Sequence, residues 1–256
     1  MSRSRIPAAA VLLPVAVAWM SGCGQASVKL EMANQSPGSA LRASLAGGGP
    51  GRTFKMKLLE VYLAEDVDPV TLDNIGQNAM IWVNPACAGD EDGCNISGIP
   101  GSGPTVTSFF DFSLPTEQVN AALNSQGQSV PAGTYRYARI DFCKDGPPDG
   151  SDPNLMWSGP TMTAESAASV GDCGRTSQAF DPPLVVKDGD SVTVTLAYDL
   201  SQSIQSGAPE SAALFSLAGV VDADGSPHAF RFCEDTGPAT RDCMDFPNLV
   251  PSAAKN

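Results

Sequence analysis

The sequence is poor in the residues that most catalytic machinery needs. It holds one histidine, His228, in 256 residues. A Ser-His-Asp triad would have to use that residue, and no G-x-S-x-G elbow accompanies it. His228 sits beside the turn-rich "DADGSP", where an exposed turn histidine is the plainer reading. No C-x-x-C pair occurs, so a structural zinc site is poorly supplied. Charged residues make up 17% of the chain and aromatics 7%. Basic residues are the scarcer sign: 15 Lys and Arg face 28 Asp and Glu, for a net charge of −13. A chain this acidic repels nucleic acid and anionic surfaces. No internal repeat is visible, and no apolar run reaches the roughly 20 residues of a comfortable spanning helix.

What is plentiful is turn chemistry: 25 Gly and 21 Pro leave little room for long helices. The amino terminus has its own pattern. Arg3 and Arg5 precede an apolar run from Ile6 to Trp19, followed by Met20-Ser21-Gly22-Cys23. A basic segment before a short apolar one is an export signal. Small residues before a cysteine resemble the lipobox of bacterial lipoproteins, with Met20 where Leu is usual. The resemblance implies cleavage after Gly22, a diacylglyceryl group on Cys23, and fatty acylation (palmitate) of the new amino terminus. Several acyl chains on one residue anchor stably where one is marginal. Gly24 after the cysteine, rather than Asp, points by the family's sorting rule to the outer membrane. Loss of Arg3 and Arg5 with the leader takes the net charge from −13 to −15.

Seven cysteines become six once Cys23 is set aside. An even number in an exported chain reads as disulfides, with 15 pairings open to six cysteines. Nearest-neighbour pairing is expected: Cys87–Cys94, Cys143–Cys173 and Cys233–Cys243. Each pair flanks a polar, turn-rich stretch and would staple a loop.

The pattern along the mature chain predicts an all-β fold. The expected organisation is a cleaved signal helix over 1–22, a lipidated cysteine and linker over 23–52, and a sandwich over 53–256. A first strand at 26–32 is suggested by the alternation Val28, Leu30, Met32. "FKMKLLEVYLAED" alternates and then slips phase at Leu58-Leu59, which suggests a bulge. Further strands are expected at Ala79–Val83, at Val106–Leu114, and after the Pro131-Ala132-Gly133 turn, where Ala138, Ile140 and Phe142 share a face. The clearest strand holds Val192, Val194, Leu196 and Tyr198 on its inner side. Thr116 is expected to cap a short helix through Leu123. "LFSLAGVV" and "HAFRFC" around Asp-Gly read as a hairpin, and the tail from Thr236 reads as loop. Short strands, frequent turns and one brief helix describe an antiparallel β-sandwich with cysteine-stapled loops.

"FFDFSLPTEQVNAALNSQGQSVPAGTYRYARIDF" and "PLVVKDGDSVTVTLAYDLSQSI" resemble an uncharacterised family of bacterial lipoprotein domains. The second segment carries the family's Asp and Ser-Ile as Asp199, Ser203 and Ile204. The resemblance covers roughly residues 26–204 and implies a prealbumin-like or immunoglobulin-like sandwich on a lipid anchor. It supplies no catalytic residue. The expected function is therefore a non-enzymatic binding or structural module of the cell envelope. It would be held to the membrane by lipid and turned toward an envelope protein or glycan, not toward nucleic acid. Two alternatives stand beside it. One is a calcium- or glycan-binding adhesion module. The loop "KDGPPDGSDPN" offers Asp145, Asp149 and Asp152 as hard oxygen ligands for calcium, although Asp-Gly and Asp-Pro also build turns without metal. Tyr135, Tyr137 and Trp157 would supply a sugar platform. The other alternative is a hydrolase of envelope polymers. It would rest on His228 or on paired loop acids such as Asp90, Glu91 and Asp92, whose solvated setting suits neither acid nor base catalysis.

Overall fold

A computed structural model describes residues 25–36, 51–85, 109–143, 153–168, 170, 173–207, 220–222, 231–234 and 241–256. Two sheets bury their apolar faces in one core. The four-stranded sheet runs β16 (Val250–Lys255), β11 (Ser191–Tyr198), β1 (Ala26–Asn34), β6 (Gln128–Val130). The five-stranded sheet runs β13 (Val220–Asp222), β10 (Cys173–Val186), β7 (Gly133–Cys143), β3 (Leu58–Val67), β4 (Asn74–Val83). Two smaller sheets complete it. One is β5 (Phe110–Asp111), β2 (Thr53–Met56), β8 (Leu155–Ser158) and β9 (Ser166–Ala168); the other is β12 (Ile204–Ser206), β15 (Asp242–Asp245) and β14 (Arg231–Cys233). The described helices are α1 (Thr116–Leu123) and α2 (Leu200–Ser203).

The expected all-β architecture is present, and among the described residues its strand pairs are antiparallel with one exception. β1 lies parallel to β11, from Ser27 opposite Ser191 to Asn34 opposite Tyr198. β1 is also an interior strand, with β6 on its other side. Val28, Leu30 and Met32 point into the core and are fully buried. The strand expected at 26–32 is present and packs as part of the sandwich from Ala26 onward; residues 37–50 of the expected linker lie outside the described residues.

Helix α1 completes the edge of β1 beyond the short β6. Ser125 Oγ accepts from Leu30 N, Asn120 Oδ1 from Met32 N, and Thr116 Oγ1 from Asn34 N. Asn120 Nδ2 donates to Met32 O, so one side chain satisfies both polar groups of that peptide position. Thr116 was expected to cap α1. The N-cap is instead Pro115, without a side-chain cap; Thr116 is committed to β1. At the other end of the helix, Trp82 Nε1 donates to Leu123 O, and Asn124 adopts a left-handed conformation at φ 46°.

The phase slip at Leu58-Leu59 is a register shift between β3 and β7. It follows a change of sheet at Lys57: β2 pairs with β5 and β8, while β3 pairs with β7 and β4. Val192, Val194, Leu196 and Tyr198 are buried as expected. The turn and most of both strands of the expected Asp-Gly hairpin lie outside the described residues; among those described, β13 pairs with β10 and β14 with β15. The tail is not loop, since β15 and β16 are both paired strands. Trp157 lies in β8.

Register gives the sandwich two distinct ends. Ala26 pairs with Val130, Ser27 with Ser191, Val192 with Lys255, and Val186 with Gly133. These define a near end, closed by the turn at 187–190 and the turn at 131–132. In the first of these, Gly189 holds φ +79° in open space, a conformation that suits glycine. Tyr198, Cys143, Cys173 and Val83 lie at the far end.

Candidate functional site

The described residues bring together three features with chemical content. The first is the disulfide end. Cys233 and Cys243 are bonded, with Cα atoms 4.1 Å apart, between paired strands β14 and β15. Cys173 is also disulfide-bonded, and its backbone register partner is Cys143. Cys87 and Cys94 lie outside the described residues. Asp242, beside Cys243, is fully buried and accepts from Thr161 N and Thr161 Oγ1 at 2.7 Å each. That fastens β15 to the segment after β8.

The second feature is a charged cluster on the outer face of the five-stranded sheet. Alternation along β7 sends Ala138, Ile140 and Phe142 inward, so Arg139 and Asp141 point outward. They are nevertheless buried, at 6% and 0% relative exposure, because the β3–β4 connection folds back over this face. Arg139 donates from Nε and Nη2 to the two oxygens of Asp141, at 2.9 and 2.7 Å. Its guanidinium lies 4.5 Å from the Tyr62 ring centroid and also reaches Leu72 O. Arg175 stands 3.8 Å from Asp141 and binds Asp73 at 2.6 Å. Tyr62 donates its hydroxyl to Glu60 Oε2 at 2.8 Å. Burial lifts the Asp141 carboxyl above its ordinary value, and the guanidiniums of Arg139 and then Arg175 offset part of that lift. Burial, and then the Glu60 carboxylate, raise the Tyr62 hydroxyl well above its usual range, so it stays protonated and donates. Paired charges of this kind hold three strands and one connection in register. A sequence signal existed: an Arg-x-Asp pattern on an otherwise apolar strand. What buries it is a connection folding back, which strand periodicity does not reveal.

The third feature is the start of β1. Gln25 is the first described residue, so only Gly24 separates it from Cys23.

The remaining expected residues are placed as follows. Cys23, His228, Asp90, Glu91 and Asp92, and the proposed calcium ligands Asp145, Asp149 and Asp152, lie outside the described residues. Among the described residues no cluster of three His, Cys, Asp or Glu side chains has a metal-binding arrangement, and no described helix is long and apolar enough to cross a membrane. The sugar platform is corrected. Tyr135 and Trp157 are buried in the core at 0% and 1% exposure, and the Tyr135 hydroxyl donates to Pro131 O. Tyr137 packs elsewhere, against Ala64, Val67 and Leu72. The ladder is irregular at this point, where β10 shifts register between Ala179 and Leu184, opposite Tyr137 and Tyr135.

Compared with known proteins, the chain matches no family model, no curated protein and no solved structure.

Proposed function

We propose that this chain is a membrane-anchored lipoprotein of a bacterial envelope that works as a non-enzymatic binding or structural module. It belongs with the lipoprotein sandwich domains that its central segments resemble, and the outer membrane is its place. The observation that carries the reading is the Cys233–Cys243 bridge. Disulfides persist in oxidising compartments outside the cytoplasm. An oxidised far end agrees with the export signal at Arg3 to Trp19, and with seven cysteines of which Cys23 is the one expected to carry lipid. The partner is an envelope protein or glycan contacted by a rigid, stapled scaffold.

Cell fractionation of the wild-type chain and of Cys23→Ser tests this. The wild type is expected in the membrane fraction and in the detergent phase of a phase-separation assay. Cys23→Ser is expected to lose that partition while keeping a folded domain by circular dichroism. Equal partition of the two chains would contradict lipid anchoring.

A further inference from the structure

The near end of the sandwich has an orientation imposed on it. From Cys23 to Ala26 is three residue steps, at most about 11 Å of extended chain. The polar region of one leaflet is itself roughly 5–8 Å deep. The tether is thus almost used up in crossing the headgroups. A free linker of about 25 residues would behave otherwise: its root-mean-square reach is roughly 25–30 Å, enough to let the domain tumble. That freedom is missing because β1 is locked on both sides, by β11 along its length and by β6 and the side chains of Thr116, Asn120 and Ser125.

Parallel pairing adds the direction. Since β1 and β11 start together, the turn at 187–190 and Lys255 share the end from which the anchor emerges. The eight residues of β11 then carry the chain about 25 Å away, to Tyr198 and α2. At that far end lie Cys173, and the β12–β15–β14 sheet with its Cys233–Cys243 bridge. The strand ends Val83 and Cys143, which lead into long undescribed stretches of sequence, lie there as well.

We infer that the near end, formed by the start of β1, the 187–190 turn and the end of β16, rests on the lipid headgroups of the leaflet holding Cys23. The disulfide-bridged far end is then the surface presented to partners. This rests on the anchoring reading above. At this end Lys255 is paired with Asp190, and the contact rests on tether length.

The test uses the lipidated full chain, purified from membranes and reconstituted in phosphatidylethanolamine–phosphatidylglycerol vesicles that contain a nitroxide-headgroup lipid. A fluorophore is placed on Asp188→Cys at the near end or Gln202→Cys at the far end, both exposed positions. Quenching at residue 188 is expected to exceed that at residue 202 several-fold. Inserting twenty Gly-Ser residues between Gly24 and Gln25 is expected to remove the difference. Equal quenching in the uninserted chain, or stronger quenching at residue 202, overturns the orientation. A chain that fails to float with the vesicles overturns the anchoring itself, and flotation is scored before quenching.

Discussion

Asp141 is the residue on which the outer face of the five-stranded sheet turns. Both its oxygens are taken by Arg139, and Arg175 stands close by. Asp141→Asn would leave a buried guanidinium without its counter-charge, a defect that costs about 3–5 kcal/mol. Urea unfolding should show a loss of that order; a loss under about 1 kcal/mol would mean that Arg139 finds another acceptor. Asp199 makes a pH-dependent contribution. Burial alone would raise its carboxyl, but hydrogen bonds from the Ser201 hydroxyl and amide and from Ser36 outweigh that and hold it below the ordinary value. A depressed folded value means the stabilisation is present above the unfolded value of about 3.9 and is lost as pH falls through the folded one. The melting temperature of the wild type should therefore exceed that of Asp199→Asn near neutrality, and the gap should narrow below about pH 4. A gap unchanged down to pH 2 would contradict this.

At the scale of elements, β1 bears the most weight. Burying a large apolar side chain contributes roughly 1.5–3 kcal/mol. Val28, Leu30 and Met32 together therefore approach the whole stability of a typical domain, about 5–15 kcal/mol. A chain that starts at Thr53 should lack a cooperative unfolding transition, and one that starts at Gln25 should keep it. Asn120→Ala tests the stitching by α1. It orphans the amide and carbonyl of Met32, at about 1–3 kcal/mol; an unchanged midpoint would mean that water replaces the side chain.

Elements whose signal is local were legible in the sequence. The inward face of β11 and the bulge at Leu58 follow from alternation alone. α1 was legible as a helix, but not the role of Thr116, since the partner Asn34 lies 82 residues away. The parallel neighbour of β1 and the sheet change at Lys57 are long-range pairings that periodicity does not encode. The pairing of β13 with β10 is long-range in the same way. Of the candidate site residues, the Cys233–Cys243 pair was legible because its flanking stretch is short and polar. The Arg139–Asp141 cluster was not, because only the return of the β3–β4 connection buries it.

At the scale of the molecule, the Cys233–Cys243 staple and the start of β1, next to the proposed anchor, sit at opposite ends of the described sandwich. The Cys233–Cys243 bridge closes a short loop, with a sequence separation of 10. Its removal as Cys233→Ser together with Cys243→Ser should cost about 2–3 kcal/mol. If the proposed anchoring through Cys23 holds, the double variant should still reach the membrane. Loss of localisation together with stability would show that the two ends are not independent.

The central claim is that the anchor is on Cys23, immediately before the first strand of the fold. Mass spectrometry of the amino-terminal peptide of the membrane-extracted protein tests it most directly. The account predicts a peptide that begins Cys23-Gly24-Gln25 and carries a diacylglyceryl group and an amide-linked acyl chain. A peptide that begins elsewhere, or an unmodified Cys23, would contradict it.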